Sequence, residues 1–426
     1  MPAGRVLATQ QARDAASQLL ALTGPVKQQV QRILQQGNIL ADPNRWNGGL
    51  AGRWRNDWDQ DANHLCQTVA KLDELEHRAH QVIEDIFRAG TGPFDAAELA
   101  TVHNPGGDVD GGAILKGNEP TRAKQILNGL PAGDRTAFKK LLEDSRSPEE
   151  AAYLWKALAA GHSLAQIEQF DAAIHPRGSD PRWLAGHLAP DISGSANRGY
   201  PNVSFASYQG QTFGSLDTQG WDVYDQGKPG DCVAASTIIA QASVDPILMY
   251  QLTTGGRADG DDSPEAFHSR LQALYIAQYR EGQRAEIPWW KSILTNPNSS
   301  VYPKVDAGLG EKGENLLANQ DLGSTTGSTY EYVGLDNTTD RQNAVSRIEQ
   351  AVDSGRPVPI DVTSGSGAGH QLVIMARDGD RLAVYNPWGY TTWVTESQFV
   401  NNQLGSLTGT GGDGTMQTAD GLELPQ

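Results

Sequence analysis

The sequence predicts an α+β protein, with an all-helical N-terminal half followed by a helix packed on an antiparallel sheet. Three observations carry that expectation. Apolar residues recur at three- and four-residue steps between Gln11 and Ile86, helical spacing resumes between Arg122 and His175, and short β-like runs rich in Gly, Ser, Thr and Tyr take over after Asp191. The chain has 426 residues, more than the ~250–300 that one core usually serves, so two or three domains are expected.

Over Gln11–Gln36, Leu19, Leu22, Val26, Val30 and Ile33 mark one face of an amphipathic helix, with Gly24-Pro25 as a kink. The segment GNILADPNRWNGG supplies turn signals. Trp54, Trp58, Leu65, Val69, Leu72, Val82 and Ile86 then mark a second helix, so residues 1–90 are expected to form an antiparallel helical hairpin. Residues 91–190 are expected to hold a Gly/Pro/Asp-rich linker and a small helical region. Its helices are predicted over Arg122–Leu130, Asp134–Ser145, Ser147–Ala160 and Ser163–His175, the third opened by Ser147-Pro148-Glu149-Glu150. His162, His175 and His187 have no carboxylate or thiol at metal-binding sequence spacing, which favours surface or capping roles for them.

Residues 191–402 carry the α+β pattern. Helices are expected from Cys232 to Ala242 and from Pro264 to Arg280, and strands over Val358–Thr363, Gln371–Ala376, Leu382–Tyr385 and Thr391–Val394. Residues 403–426, rich in Gly and Thr, read as a flexible tail open to self-processing.

Composition excludes several classes. A formal charge of −17, of which residues 191–426 hold −14, repels a phosphate backbone, so nucleic acid is not an expected partner. No run approaches the ~18–20 apolar residues of a membrane span, and the opening segment has no apolar stretch suited to Sec export. The acidic balance of the C-terminal half points weakly to basic substrates. With only two cysteines, Cys66 and Cys232, a disulfide framework and a thiolate-based zinc site are both excluded.

Cys232 follows Gln226-Gly-Lys-Pro-Gly-Asp and opens a run able to become helical. The free amides of a first helical turn favour a thiolate and can also stabilise an oxyanion. Of the two histidines downstream, His268 falls in a helical segment, whereas His370 opens a strand after SGSGAG. Asn386 closes the next strand-like run, DRLAVYNPWG, and adjacent antiparallel strands would set it beside His370 to orient the imidazole. Cys66, in HLCQTVAKL, reads as packing. Trp289 and Trp290 suit either a cleft wall or a core.

Together QG-x-x-GDC, a lone Gly-His opening a strand, and NPWG resemble the signature segments of calpain-like peptidases of the papain superfamily. The resemblance implies Cys232 as nucleophile, His370 as general base and acid, Asn386 as orienting group and Gln226 as oxyanion-hole side chain. It also implies that Trp388 shields the His–Asn hydrogen bond and that Gly255-Gly256 wall the non-primed subsites. His370 and Asn386 lie 138 and 154 residues after Cys232, close to the ~130–150 usual for papain-like enzymes. The expected activity is cleavage of a protein or peptide substrate, without a cofactor. Deamidation or transglutamination, peptidoglycan amide hydrolysis, and a non-catalytic secretion scaffold remain open alternatives. Val233 stands where the family has an aromatic residue. Asp259, Asp261 and Asp262 are acidic enough for calcium but lack the twelve-residue loop pattern.

Trp46-Asn47-Gly48 lies between the two N-terminal helices, and this W-x-G resembles the WXG-type hairpins exported by type VII secretion systems. The resemblance implies a secreted effector or toxin without a Sec signal, with the secretion machinery or a second helical hairpin as partner. Without such export the expected location is cytoplasmic.

Overall fold

The computed structural model describes residues 49–88, 113–190, 205–208, 211–213, 232–286, 309–365, 367, 369–387, 390–407 and 416–426, with helical positions scattered through 19–41. Helix α1 (Gly49–Arg88) is the second arm of the N-terminal pair. It meets the first through Trp58, whose Nε1 donates to Asn38 Oδ1 at 3.0 Å. Gly37 allows this approach, because a Cβ there would lie 1.9 Å from the Trp58 ring. Trp54 stacks on Trp58 with ring centroids 5.7 Å apart. The Gly24-Pro25 kink and the Trp46-Asn47-Gly48 turn lie outside the described residues.

The helical middle region comprises α2 (Glu119–Gly129), α3 (Ala132–Asp144), α4 (Pro148–Ala159), α5 (Leu164–Ile174) and α6 (Pro181–Leu188). Every residue of α4 is buried, so the others pack around it. Its start is fixed by Ser147, whose Oγ accepts from the Glu150 amide at 3.1 Å and donates to the Gly178 carbonyl at 2.6 Å. Phe138 meets Trp155 edge to face at 5.1 Å. Truncating either ring to Ala removes about 3–5 kcal/mol of core packing.

This core runs past residue 190. Ile247 and Tyr250 belong to it, and both lie on α8 (Pro246–Thr254), which follows α7 (Cys232–Val244) across a bend of 112°. Asp245 sets the bend. Its carboxylate accepts from the Ile247 and Leu248 amides at 2.9 and 3.2 Å, and Pro246 has no amide to leave unsatisfied. No single helix among the described residues is long and apolar enough to cross a membrane. The α7–α8 pair is apolar because it is buried within the protein.

A two-stranded ribbon, β1 (Phe205–Tyr208) with β2 (Gln211–Phe213), precedes α7. After α9 (Pro264–Glu286) and α10 (Glu311–Leu317) comes a six-stranded antiparallel sheet in the order β3-β8-β4-β5-β6-β7. Its strands are β3 (Tyr330–Gly334), β4 (Val358–Ser364), β5 (Gly369–Asp378), β6 (Arg381–Asn386), β7 (Tyr390–Thr395) and β8 (Met416–Pro425). The four strands expected from alternation are present. One face, with Val358, Ile360, Val362, Leu372, Ile374, Leu382 and Val384, packs on α11 (Thr338–Asp353) and α12 (Glu396–Val400). On the other, Val373 meets Ala240 of α7, and Tyr385 joins the core of α7, α8 and α9.

The expectation of a flexible tail over 403–426 is corrected here. Leu404 and Leu407 are buried, and β8 lies between β3 and β4 inside the sheet. In GLELP the two leucines enter the α11 core while Glu423 takes the opposite face, the period-2 pattern of a strand.

Candidate active site

Cys232 is the first residue of α7, whose first-turn amides lack intrahelical acceptors. It is half-buried, whereas Cys66 is exposed on α1. The position of α7 against the sheet follows from two contacts. Ser236 Oγ donates to the Gln371 carbonyl of β5 at 3.0 Å, and Ala240, one turn later, packs with Val373. Four helical residues advance ~6 Å and two strand residues ~6.6 Å, so helix and strand keep step. By the same step Cys232, one turn before Ser236, comes level with Gly369, the neighbour of His370. A Cβ built on Gly369 meets no described atom within 4 Å.

His370 and Asn386 come from adjacent antiparallel strands and are hydrogen-bonded, Nε2 to Oδ1, at 3.0 Å. Asn386 is 1% exposed and His370 8%. The orientation of the amide is determined by its other partners. Asn386 Nδ2 donates to the Leu407 carbonyl at 2.9 Å and to Tyr390 Oη at 3.0 Å, and Tyr390 Oη donates to the same carbonyl at 2.8 Å. A carbonyl only accepts, so the amide nitrogen must face Leu407 and the amide oxygen must face the imidazole. His370 Nε2 therefore carries the hydrogen, and Nδ1 keeps a lone pair. Burial pushes the His370 pKa down to about 4, opposed by the Asn386 hydrogen bond, so the ring is neutral at physiological pH.

Alternation along β5 places His370 on the face of Leu372 and Ile374, while Gln371 and Val373 face α7. His370 is the second residue of its strand, at the rim of the sheet. Cys232 thus opens the helix on one face of the sheet, while His370 and Asn386 point to the other face near the start of β5.

Gln226 and Trp388 lie outside the described residues, as do Trp289 and Trp290. Gly255 and Gly256 end α8 in left-handed backbone, with φ of 70° and 75°. Arg270 lies over this end and donates to the Leu252 and Thr253 carbonyls, both at 2.7 Å. Helix termination accounts for both glycines. His268 lies within α9.

Sequence spacing gave the three histidines of the helical region no carboxylate partners, and the fold supplies one to each. His162 Nε2 meets Asp245 at 2.8 Å, His175 Nδ1 meets Glu150 at 2.7 Å and His187 Nε2 meets Asp262 at 3.4 Å. Glu150, Asp171 and His175 are, among the described residues, the set with ligand atoms close enough for a metal ion, all within 4.8 Å of one another. That set already contains a cation, since Arg146 Nε donates to His175 Nε2 at 3.2 Å and its amide donates to Glu150. The Asp259–Asp262 loop is likewise occupied internally. Asp259 pairs with Arg257 at 3.3 Å, and Asp261 accepts from the Ser263 amide at 2.9 Å at the start of α9.

An acidic group that the sequence did not signal flanks the rim on the α7 side. Gln371 Nε2 donates to Asp361 at 3.2 Å, and Asn315 Nδ2 donates to Glu423 at 2.9 Å. Burial pushes Glu314 far up, reinforced by the carboxylate of Asp361, so Glu314 holds its proton and donates it towards Asp361. The five residues come from four elements, α10, β4, β5 and β8, which no short motif could have joined.

No family model matches the chain, and no curated protein is similar to it. Among solved structures it is similar to the crystal structure of the Pseudomonas avirulence protein AvrPphB, at 11% identity and a TM-score of 0.25. The match covers 47% of this chain and 96% of that one.

Proposed function

We propose that the protein is a cysteine hydrolase acting on peptide bonds through Cys232, His370 and Asn386, with the calpain-like segments as its catalytic signature. One observation carries the reading. The hydrogen bond from His370 to Asn386 fixes the imidazole tautomer, and Ser236, one turn after Cys232, is tied to Gln371, the neighbour of His370. A buried histidine held neutral, with an unprotonated Nδ1, is a general base at neutral pH.

In the proposed cycle His370 Nδ1 takes the thiol proton as Cys232 Sγ bonds to the scissile carbonyl carbon. The amide of Cys232 and the side chain of Gln226 hold the oxyanion. His370 returns the proton to the leaving amine as the C–N bond breaks, leaving a thioester. Water, deprotonated by His370, attacks the thioester and releases the acid and the free thiol. Asn386 orients the ring and, being uncharged, adds no negative charge beside it.

The biological setting follows as a second part of the proposal, with the N-terminal helix pair as an export address and the hydrolase as a secreted effector. Leu22, Val26 and Ile33, at helical spacing, are 65%, 45% and 48% exposed, a face suited to secretion machinery or a second hairpin. Deleting residues 1–90 is expected to abolish export from a type VII-competent bacterium, and unchanged export would remove this part.

The chemistry is tested by iodoacetamide labelling from pH 5 to 9, read by peptide mapping with Cys66 as internal control. His370→Ala should slow labelling of Cys232 at least about tenfold at pH 7 and leave Cys66 unchanged. Cys232→Ala should lower hydrolysis of an unfolded protein substrate by on the order of 10⁴ or more. Labelling of Cys232 that matches Cys66 and ignores His370 would overturn the assignment.

A further inference from the structure

A cavity of ≈ 330 Å³ lies away from Cys232, where the first turn of α2 meets the 325–328 segment and the turn after α11. Its lining includes Arg122 and Arg356. In a chain of net charge −17, neither guanidinium is paired with a carboxylate among the described residues. Arg122 donates to the backbone carbonyls of Ser324 and Thr325, and Arg356 Nη1 donates to Ser328 Oγ at 3.0 Å. Arg356 Nε is buried without an acceptor. A guanidinium has five N–H donors, so most of the capacity of both remains unused. The carboxylate in the lining, Glu119, acts on the Arg122 guanidinium through its charge without forming an ion pair with it. It accepts from the Lys116 amide at 2.8 Å and faces Lys156 Nζ at 3.8 Å.

The backbone is shaped around these cations. Gly327 has φ +67°, and a Cβ there would lie 2.9 Å from the Arg122 guanidinium. Gly355, with φ +75°, would crowd the Lys116 carbonyl at 3.0 Å. Both positions therefore favour glycine, and Gly327 lets Arg122 lie flat against the chain. The N-terminal end of α2 adds partial positive charge, and Ser328, Thr326 and Ser354 bring hydroxyls to the wall. Burial pulls the Arg122 guanidinium below its ordinary value, opposed by Glu119, as expected where a cation lacks a full counter-charge.

We propose that this cavity binds a small phosphate-bearing molecule, held by Arg122 and Arg356 with the hydroxyl of Ser328. Phosphate oxygens match the planar fork of a guanidinium and accept from hydroxyls as well. The occupant would tie α2 to the segment that follows the helical turns Ala318–Gly323, which pack behind α7. The site is independent of the proposed hydrolase chemistry.

The test is isothermal titration calorimetry of the full chain with inorganic pyrophosphate and with orthophosphate, at constant ionic strength set with sodium chloride. Pyrophosphate should bind saturably and raise the melting temperature. Arg356→Gln should weaken binding about tenfold or more, since a charge-assisted hydrogen bond is lost. Gln125→Glu, an exposed change in the lining of α2, should also weaken binding and keeps the test open if Arg356→Gln fails to fold. Binding of orthophosphate as well would show that one phosphate group suffices, and pyrophosphate alone would show that two are read. Either result supports the site. No saturable heat at millimolar pyrophosphate, equal binding by folded variants, or the same stabilisation from sodium chloride would overturn it.

Discussion

His370 is legible in sequence as a lone histidine opening a strand, but its protonation state is set by its surroundings. Only its carboxamide partner, its burial and the fixed direction of the Asn386 amide determine that Nδ1 is the basic nitrogen. The folded pKa of about 4 lies below the ordinary 6.5, so the unfolded chain binds more protons between those values. Stability from this residue is present above pH 6.5 and is lost as pH falls towards 4, by on the order of 3 kcal/mol. Thermal melts of wild type and His370→Gln from pH 7 to pH 4 should therefore converge as acid is added. A constant difference would show that the imidazole is solvated. His162, His175 and His187 teach the complementary lesson. Their carboxylate partners stand 83, 25 and 75 residues away, beyond the reach of any spacing rule.

Among the elements, α4, α5, α7 and α9 and strands β4 to β7 follow the periodicities of the sequence, because each buries one continuous face or is buried throughout. β8 escaped because its apolar alternation is short and follows a Gly-rich stretch, although it supplies the strand between β3 and β4. Deleting residues 408–426 should abolish cooperative unfolding, as measured by circular dichroism, since it exposes both neighbouring strands and the α11 core. A native-like melt would mean that the sheet closes without β8. The same strand carries Glu423, whose pKa burial pushes up to about 8, with the Asn315 hydrogen bond opposing. A raised carboxyl favours the protonated fold, so its contribution is present below about pH 4.5 and is lost as pH rises through about 8. Glu423→Gln should flatten the fall in melting temperature between pH 6 and pH 9, and an unaltered slope would place the titration elsewhere in the acidic group.

At the scale of the whole molecule, the helical middle region and the sheet share elements rather than meeting as separate domains. Tyr250 of α8 packs on Phe170 of α5 with ring centroids 5.8 Å apart, and Thr253 Oγ1 donates to the His187 carbonyl at 3.0 Å. Among the described residues, α1 meets the rest of the chain at α4. A chain of residues 113–426 is therefore expected to keep a cooperative melt and His370-dependent labelling of Cys232. Loss of the transition would show that α1 completes the helical core.

By itself the sequence determined most of the helices, the four strands β4 to β7, the two isolated cysteines, and the three segments that bring Cys232, His370 and Asn386 to notice. These are local properties, since periodicity, turn chemistry and motif spacing act between residues near one another in the chain. The tertiary structure alone decided that the last strand enters the sheet and that Leu407 locks Asn386. It also decided that four acidic and amide side chains converge beside Gln371, and that Arg122 and Arg356 share a cavity. Each of these joins residues from distant elements, and burial shifts a charge or orients an amide only after the chain has closed around it.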